Sequence, residues 1–360
     1  MQVDAIKLKN NAEPMMITWD TGRRCNYDCT YCAASRHDNH SAFHSLEEYK
    51  QTFNFIKKYV KIYENSKSNP ANHCNINFTG GEPTLNPEFW NLVDYIKQDT
   101  KYFNLSLTTN GAWNKKFTKK IKESFFGVTV SYHSESHDNL KKLVIENILN
   151  LKSSNIWLQV NIMLHVDYFD ECVEVYNYLK SKGVKVNPRP IGDGNEQREG
   201  WFIDENGTFR RTSHVYSQSQ KDWFFKETGL QRNTSCSSGD EFGRGCCGGR
   251  CIQGLVDEEW QNVNMIDTYF KNWYCSVNWY FLHIDQHTGL VYHHQTCQAK
   301  FNNKKGSIGC LNNTEDILDQ AKNSVINNYN ITCPNTRCGC GMCIPKAKDV
   351  DVFLELKNNI

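Results

Sequence analysis

Cys25, Cys29 and Cys32 lie in one short segment, spaced C-x3-C-x2-C. Thiols this dense are placed to hold a metal centre rather than to fill an apolar core. A zinc ion closes its shell with four ligands, so zinc would ask for a further Cys or His nearby. A [4Fe-4S] cube held by three cysteines leaves one iron open to bind something else. Further along, a short apolar run ends in Asn77-Phe78-Thr79-Gly80-Gly81-Glu82-Pro83. Both segments directly follow a stretch that reads as a strand, where the sites of parallel α/β folds gather.

The pair C-x3-C-x-aromatic-C and GGEP, in this order, resembles the radical S-adenosylmethionine (radical SAM) superfamily over residues 1–191. The resemblance implies that Cys25, Cys29 and Cys32 hold a [4Fe-4S] cluster. Its open iron would chelate the amino and carboxylate groups of SAM, with the Thr79, Gly80, Gly81 and Glu82 turn at the amino group. Tyr31 fills the aromatic slot near the adenine. By position, Thr109 and Asn110 (with Gly111) and Ser131 end strands where they would meet the ribose or methionyl group. Asn161 and Arg189 are further candidates, and Pro190-Ile191 would lie beside the adenine. His133 and His137 follow the fourth strand and are candidates to touch substrate, with loop solvation as the plain alternative. In this superfamily an electron from the reduced cluster splits SAM into methionine and a 5′-deoxyadenosyl radical, which takes hydrogen from a C–H bond. A flavodoxin or ferredoxin is the kind of reductant implied.

Bulk properties bound the rest. A chain of 360 residues can bury a sizeable core and is expected to hold two units. With 41 basic against 40 acidic residues, it has no footprint for nucleic acid. Met1 to Glu13 is polar, unlike a signal peptide, and no apolar run is long enough for a membrane helix. Sixteen cysteines without an export signal argue for metal ligation in the cytoplasm rather than for disulfides.

Six strands are expected, at Met15–Trp19, Asn75–Phe78, Phe103–Thr109, Val128–Tyr132, Ile156–Leu164 and Val184–Asn187. Ser45-Leu46-Glu47-Glu48 is a capping box opening a helix with Tyr49, Phe53, Ile56 and Val60 on one face. Asn86-Pro87 caps a second helix, Ser136 a third, and Gly183 stops a fourth over Asp170–Lys182. Such alternation means βαβ units and a parallel sheet. Periodicity does not separate a doubly wound sheet from a curled one. The resemblance implies an α/β fold with a partial (β/α)6 TIM-like barrel over 1–191. A connector at 192–235 (with a short helix near Tyr216–Phe225) and a Cys-rich auxiliary-cluster domain at 236–360 would follow.

Eleven cysteines fall between positions 236 and 343. Trp279–Asp285 and Leu290–His293 alternate like a hairpin around Gln286-His287-Thr288-Gly289. A Cys, then a hairpin, then more Cys resembles the SPASM and twitch auxiliary domains of radical SAM enzymes. The register departs from that pattern, since His294 stands where a Cys is expected and Cys297 lies beyond it. The expected ligands of one auxiliary [4Fe-4S] cluster are Cys275, Cys297, Cys338 and Cys340, with Cys333 and Cys343 in competition. Cys236, Cys246, Cys247 and Cys251 would hold a second cluster or a zinc, and a wholly structural zinc domain is the alternative. Cys74 and Cys172 read as ordinary buried thiols. Three functions follow. The first is modification of a ribosomally made peptide, although the core starts too early to leave room for a leader-binding domain. The second is oxidation or rearrangement of a small molecule such as an aminocyclitol, a sugar or an amino acid. The third is a non-catalytic metal or iron–sulfur scaffold, which would not need GGEP.

Overall fold

The structure is a computed structural model that describes residues 4–8, 14–33, 35–64, 74–98, 103–191, 215–228, 252–262, 270–294, 297, 299–301, 306–326, 331–334 and 344–358. The first half runs β1 (Ala5–Leu8), β2 (Met16–Asp20), α1 (Leu46–Glu64), β3 (Cys74–Thr79), α2 (Pro87–Lys97), β4 (Phe103–Thr109), α3 (Thr118–Ser124) and β5 (Gly127–His133). It continues through α4 (Asp138–Lys152), β6 (Trp157–Leu164), α5 (Phe169–Ser181), β7 (Val186–Pro190) and α6 (Gln218–Thr228). Then come β8 (Ile252–Val256), β9 (Glu259–Asn262), β10 (Tyr274–Cys275), α7 (Val277–Tyr280), β11 (Phe281–Asp285), β12 (Leu290–Tyr292) and β13 (Gly309–Cys310). The chain ends with α8 (Thr314–Ile326), β14 (Ile331–Thr332), β15 (Lys346–Ala347) and α9 (Val350–Asn358).

Strands β2 to β7 lie side by side in chain order, all parallel. Their residue pattern says which face the helices cover. In β4, Phe103, Leu105 and Leu107 are buried, while Asn104, Ser106 and Thr108 are only half-buried. In β3, Ile76 and Phe78 are buried and Asn75, Asn77 and Thr79 are not. A parallel sheet covered on both faces reads as continuous apolar runs. Here the apolar members pack against Phe53, Leu92, Ile121, Ile148 and Leu179 of α1 to α5 in one core. The opposite face is a field of amides and hydroxyls. His283, Thr18, Asn77 and Ser106 sit in register across β11, β2, β3 and β4. Some of these groups satisfy one another: Ser106 Oγ donates to Asn77 Oδ1 (3.0 Å), and Asn104 Nδ2 to Asn75 Oδ1 (3.1 Å).

The caps follow the sequence in most places. Ser45 and Glu48 close a reciprocal box, and the Asn86 side chain accepts from Glu88 N (3.0 Å) ahead of Pro87. Gly183, at φ +70°, ends α5. Ser136 does not cap α4. His137 stands at that position without a side-chain cap, and the Ser136 hydroxyl turns back to the His133 carbonyl (2.9 Å). The helix in the connector is shifted toward the C-terminus. Tyr216 precedes it as a core residue, its hydroxyl donating to Leu164 O (2.6 Å) and accepting from Ile191 N (2.9 Å). Helix α3, between β4 and β5, was not expected. Trp279 and Tyr280, expected in the hairpin's first strand, end the one-turn helix α7 instead.

The hairpin joins the same sheet. β11 pairs in parallel with β2, and β12 and β13 extend that edge antiparallel. Gln286 locks the junction: its N–H donates to Asp20 O (2.9 Å), and its side-chain oxygen accepts from Trp19 Nε1 (3.1 Å) and Thr52 Oγ1 (2.9 Å). A second, antiparallel sheet runs β14-β10-β15-β1-β8-β9, so the first strand of the chain pairs with strands from its second half. No helix among the described residues is long and apolar enough to cross a membrane.

Candidate functional site

Parallel strands put their C-terminal ends on one edge, and the segment bearing Cys25, Cys29 and Cys32 leaves the end of β2. It is tied down at one strand end after another. At β3, Gly81 N donates to Gly22 O and Glu82 N to Arg24 O, both at 2.8 Å. At β4, Asn110 Nδ2 donates to Asn26 Oδ1 (2.7 Å) and reaches Cys25 Sγ at 3.9 Å. At β5, His133 Nδ1 lies 2.5 Å from the Tyr31 hydroxyl and 3.5 Å from Cys29 Sγ. Beyond β5, Glu135 takes both the N–H and the hydroxyl of Thr30. The return limb is pinned by Asp38, whose carbonyl accepts from Cys25 N (2.7 Å). Hydrogen bonds from Ser41, first its hydroxyl, hold the Asp38 carboxyl well below the usual carboxylate range.

The three thiols are unpaired. Burial pushes Cys25 up to about 11 and Cys29 up to about 12, and burial also raises Cys32. Smaller contributions raise Cys25 through the charges of Glu82 and Cys32, and Cys29 through those of Glu135, Cys25 and Cys32. Thiols so placed stay protonated at neutral pH unless metal cations take them as thiolates. Tyr27 N donates to Cys25 Sγ (3.4 Å), the kind of N–H···S contact that tunes a cluster. Among the described residues no three His, Cys, Asp or Glu side chains meet where one metal ion would sit. A cube takes three thiolates on three separate irons, so it asks only that they ring it. The donor set of this loop fits a [4Fe-4S] cluster.

Other residues singled out by sequence fall at the same edge, in different surroundings. Glu82 is 3% exposed, and its carboxylate accepts from Thr84 N, Thr84 Oγ1, Thr109 Oγ1 and Asn110 N at 2.6 to 3.0 Å. Glu82 and Thr109 thus weld the β3 and β4 ends together. Asn147 Nδ2 holds the next turn through the carbonyls of Gly111 and Trp113, both at 2.9 Å. Ser131 and Asn161 sit in register, and Asn161 pairs in turn with Asn187. Arg189 is exposed on β7, whereas Ile191 is fully buried. Tyr31 stacks on His133 with ring centres 5.9 Å apart. Burial lowers His133 to about 4. Sequence reading missed Thr30, Glu135 and His165, which meet one another only through contacts distant in the chain, and Asp38, whose carboxylate bonds locally to Ser41 while its carbonyl reaches back to Cys25. The spacing of Glu135, two residues beyond His133 at a strand end, was the one available signal.

Of the auxiliary ligands expected from sequence, Cys275, Cys297 and Cys333 are described. Cys236, Cys246, Cys247, Cys251, Cys338, Cys340 and Cys343 lie outside the described residues. Cys275 pairs with Ile331, and Cys333 continues that ladder opposite Trp273, donating to its carbonyl (2.8 Å). The two-residue period of a strand then puts Cys275 and Cys333 on one face as diagonal neighbours. Cys297 is 6% exposed, its N–H on the His294 carbonyl (2.9 Å). Cys74 and Cys172 are buried in the core, each thiol on a backbone carbonyl at 3.3 Å.

The profile of the Radical SAM superfamily matches residues 19–187. GTP 3′,8-cyclase of Campylobacter jejuni subsp. doylei is 25% identical over 196 residues, covering 52% of this chain and 57% of the relative. Mycofactocin maturase MftC of Mycobacterium tuberculosis is 28% identical over 98 residues, covering 27% of this chain and 22% of its own. The chain thus spans little more than half the length of the cyclases it matches. The solved structure of polyhistidine-tagged anSMEcpe with bound AdoMet covers 88% of this chain and 82% of its own, with a TM-score of 0.50 and 16% identity, a likeness of fold.

Proposed function

From the match of residues 19–187 to the Radical SAM superfamily profile, we propose that this chain is an enzyme that cleaves SAM reductively at a [4Fe-4S] cluster held by Cys25, Cys29 and Cys32. The carrying observation is the cysteine loop, bonded to successive strand ends at the edge of a polar sheet face. When bound, the cluster and SAM supply a 5′-deoxyadenosyl radical that takes hydrogen from a C–H bond. The chain's part is to hold and orient. Asn110 and the Thr79–Glu82 turn fix the loop. Tyr31 presents a ring held by His133, and Ser131, Asn161 and Arg189 stand on the neighbouring strands β5, β6 and β7. The one-sided polar sheet supports a partial (β/α)6 barrel with that face inward.

The substrate reading has two forms. The resemblance of the Cys-rich second half to SPASM and twitch domains favours a peptide side chain, with one or two auxiliary clusters taking up an electron. The amide and hydroxyl face, with Asn77, Ser106, Thr108 and Asn161 half-buried, favours a small hydrophilic molecule as the second form.

Anaerobic reconstitution tests the core reading. The wild type should bind iron and, with dithionite and SAM, release 5′-deoxyadenosine and methionine. The Cys25→Ala/Cys29→Ala/Cys32→Ala variant should lose about four irons and all SAM cleavage. Iron retained in full by this variant would remove the basis of the proposal. The auxiliary ligands are tested separately. Cys275→Ala and Cys333→Ala are each expected to lose about four irons while the SAM-binding cluster's EPR signal persists. Full iron content in Cys333→Ala would leave the Cys338 and Cys340 assignment ahead.

A further inference from the structure

Glu135 grips the centre of the cluster loop although it is no ligand of the cluster. Its Oε2 accepts the Thr30 N–H (3.1 Å) and its Oε1 the Thr30 hydroxyl (2.7 Å). Thr30 stands between Cys29 and Cys32. On the far side, His165 Nε2 lies 3.3 Å from Glu135 Oε1. Asp167 N–H donates to His165 Nδ1 (3.2 Å), so Nδ1 is the acceptor and the ring proton sits on Nε2, facing Glu135. His165 is 5% exposed, and its ring leans on Tyr168 and Tyr31 at 5.1 and 6.1 Å. The carboxylate therefore has one orientation, set by β6 on one side and by the cluster loop on the other.

We propose that Glu135 is a positioning residue that lowers the reduction potential of the cluster at Cys25, Cys29 and Cys32, with His165 holding its carboxylate in place. The inference rests on the reading of those cysteines as the cluster site. Reduction adds an electron to the cluster, and a fixed negative charge beside a half-buried loop opposes it. The Thr30 N–H is also taken by Glu135 and so is withheld from cluster sulfur, where it would raise the potential. Both effects push toward the strongly reducing end that SAM cleavage demands.

The test is Glu135→Gln, which keeps the shape and an acceptor oxygen but removes the charge. Iron and sulfide per chain are measured in the reconstituted wild type and variant. The midpoint potential of the reduced cluster is then followed by EPR. The expected result is unchanged iron content with the potential raised by about 59 mV, a tenfold change in the one-electron equilibrium. Glu135→Asp, which keeps the charge, should stay near the wild type. Unchanged iron with an unchanged potential overturns the proposal. If Glu135→Gln loses its iron, His165→Asn replaces it as the test, since it loosens the carboxylate while leaving both Thr30 hydrogen bonds in place and giving up only a ring contact to Tyr31 on the loop side. A shift of the same sign then supports the proposal, and none overturns it. A wild type that binds no iron defeats the cluster reading itself, an outcome distinct from an unmoved potential.

Discussion

Gly81→Ala is expected to lose most of its cluster iron and its SAM cleavage, and to destabilise the fold by about 3 kcal/mol. A Cβ at position 81 would fall inside contact distance of the carbonyl oxygens of Arg23 and Arg24, with the Arg23 carbonyl carbon just behind. All three atoms are backbone, so no side-chain rotation relieves the overlap. The strand end or the cysteine loop must move. That movement breaks the 2.8 Å bonds from Gly81 N to Gly22 O and from Glu82 N to Arg24 O, which seat the loop on β3. Gly80→Ala should act in the same direction. Residue 80 has φ +97°, and its Cβ would stand 2.6 Å from Gly22 O. Iron per chain after reconstitution and the urea midpoint are the measurements. Wild-type values of both in Gly81→Ala would mean that the loop is not seated by this turn.

Local signals carried the parallel sheet and the cysteine loop. The alternation of Phe103, Leu105 and Leu107 with Asn104, Ser106 and Thr108 was already in the sequence. What alternation alone did not say is whether the polar members face water, a second layer or an enclosed space. That is decided by where the helices pack. Asn86 and Gly183 behaved as their types predict, because a cap is a contact within a few residues. Ser136 failed because the helix begins at Asp138, which leaves His137 at the cap position and Ser136 one residue short of it, in the turn held by its bond to the His133 carbonyl. Links such as Glu135 to Thr30 or Gln286 to Trp19 join positions far apart in the chain, and no periodicity encodes them. The pairing of β11 with β2 was hidden for the same reason. A hairpin looks self-contained in sequence, and only the tertiary fold shows that its first strand extends an existing parallel sheet.

Glu82→Ala is expected to cost about 3 kcal/mol or more and to release the cysteine loop, whereas Glu82→Gln should cost much less. The alanine leaves Thr84 N and Oγ1, Thr109 Oγ1 and Asn110 N without their acceptor. A buried donor stranded in this way costs about 1 to 3 kcal/mol. Part of that loss is offset, because desolvation raises the Glu82 pKa above 4.5 against the pull of its hydrogen bonds. The folded state therefore holds the proton more tightly than the unfolded chain does. That contribution to stability is complete below pH 4.5 and fades as pH rises through the raised value. Glutamine keeps one acceptor oxygen and lacks the charge, so it mismatches chiefly at Asn110 N. Its stability relative to wild type should then improve as pH climbs from 4.5. Denaturant midpoints for the three proteins at several pH values, beside iron content, decide the matter. Equal losses in Ala and Gln variants would mean that the charge, not the hydrogen-bond geometry, joins β3 to β4 beneath the loop.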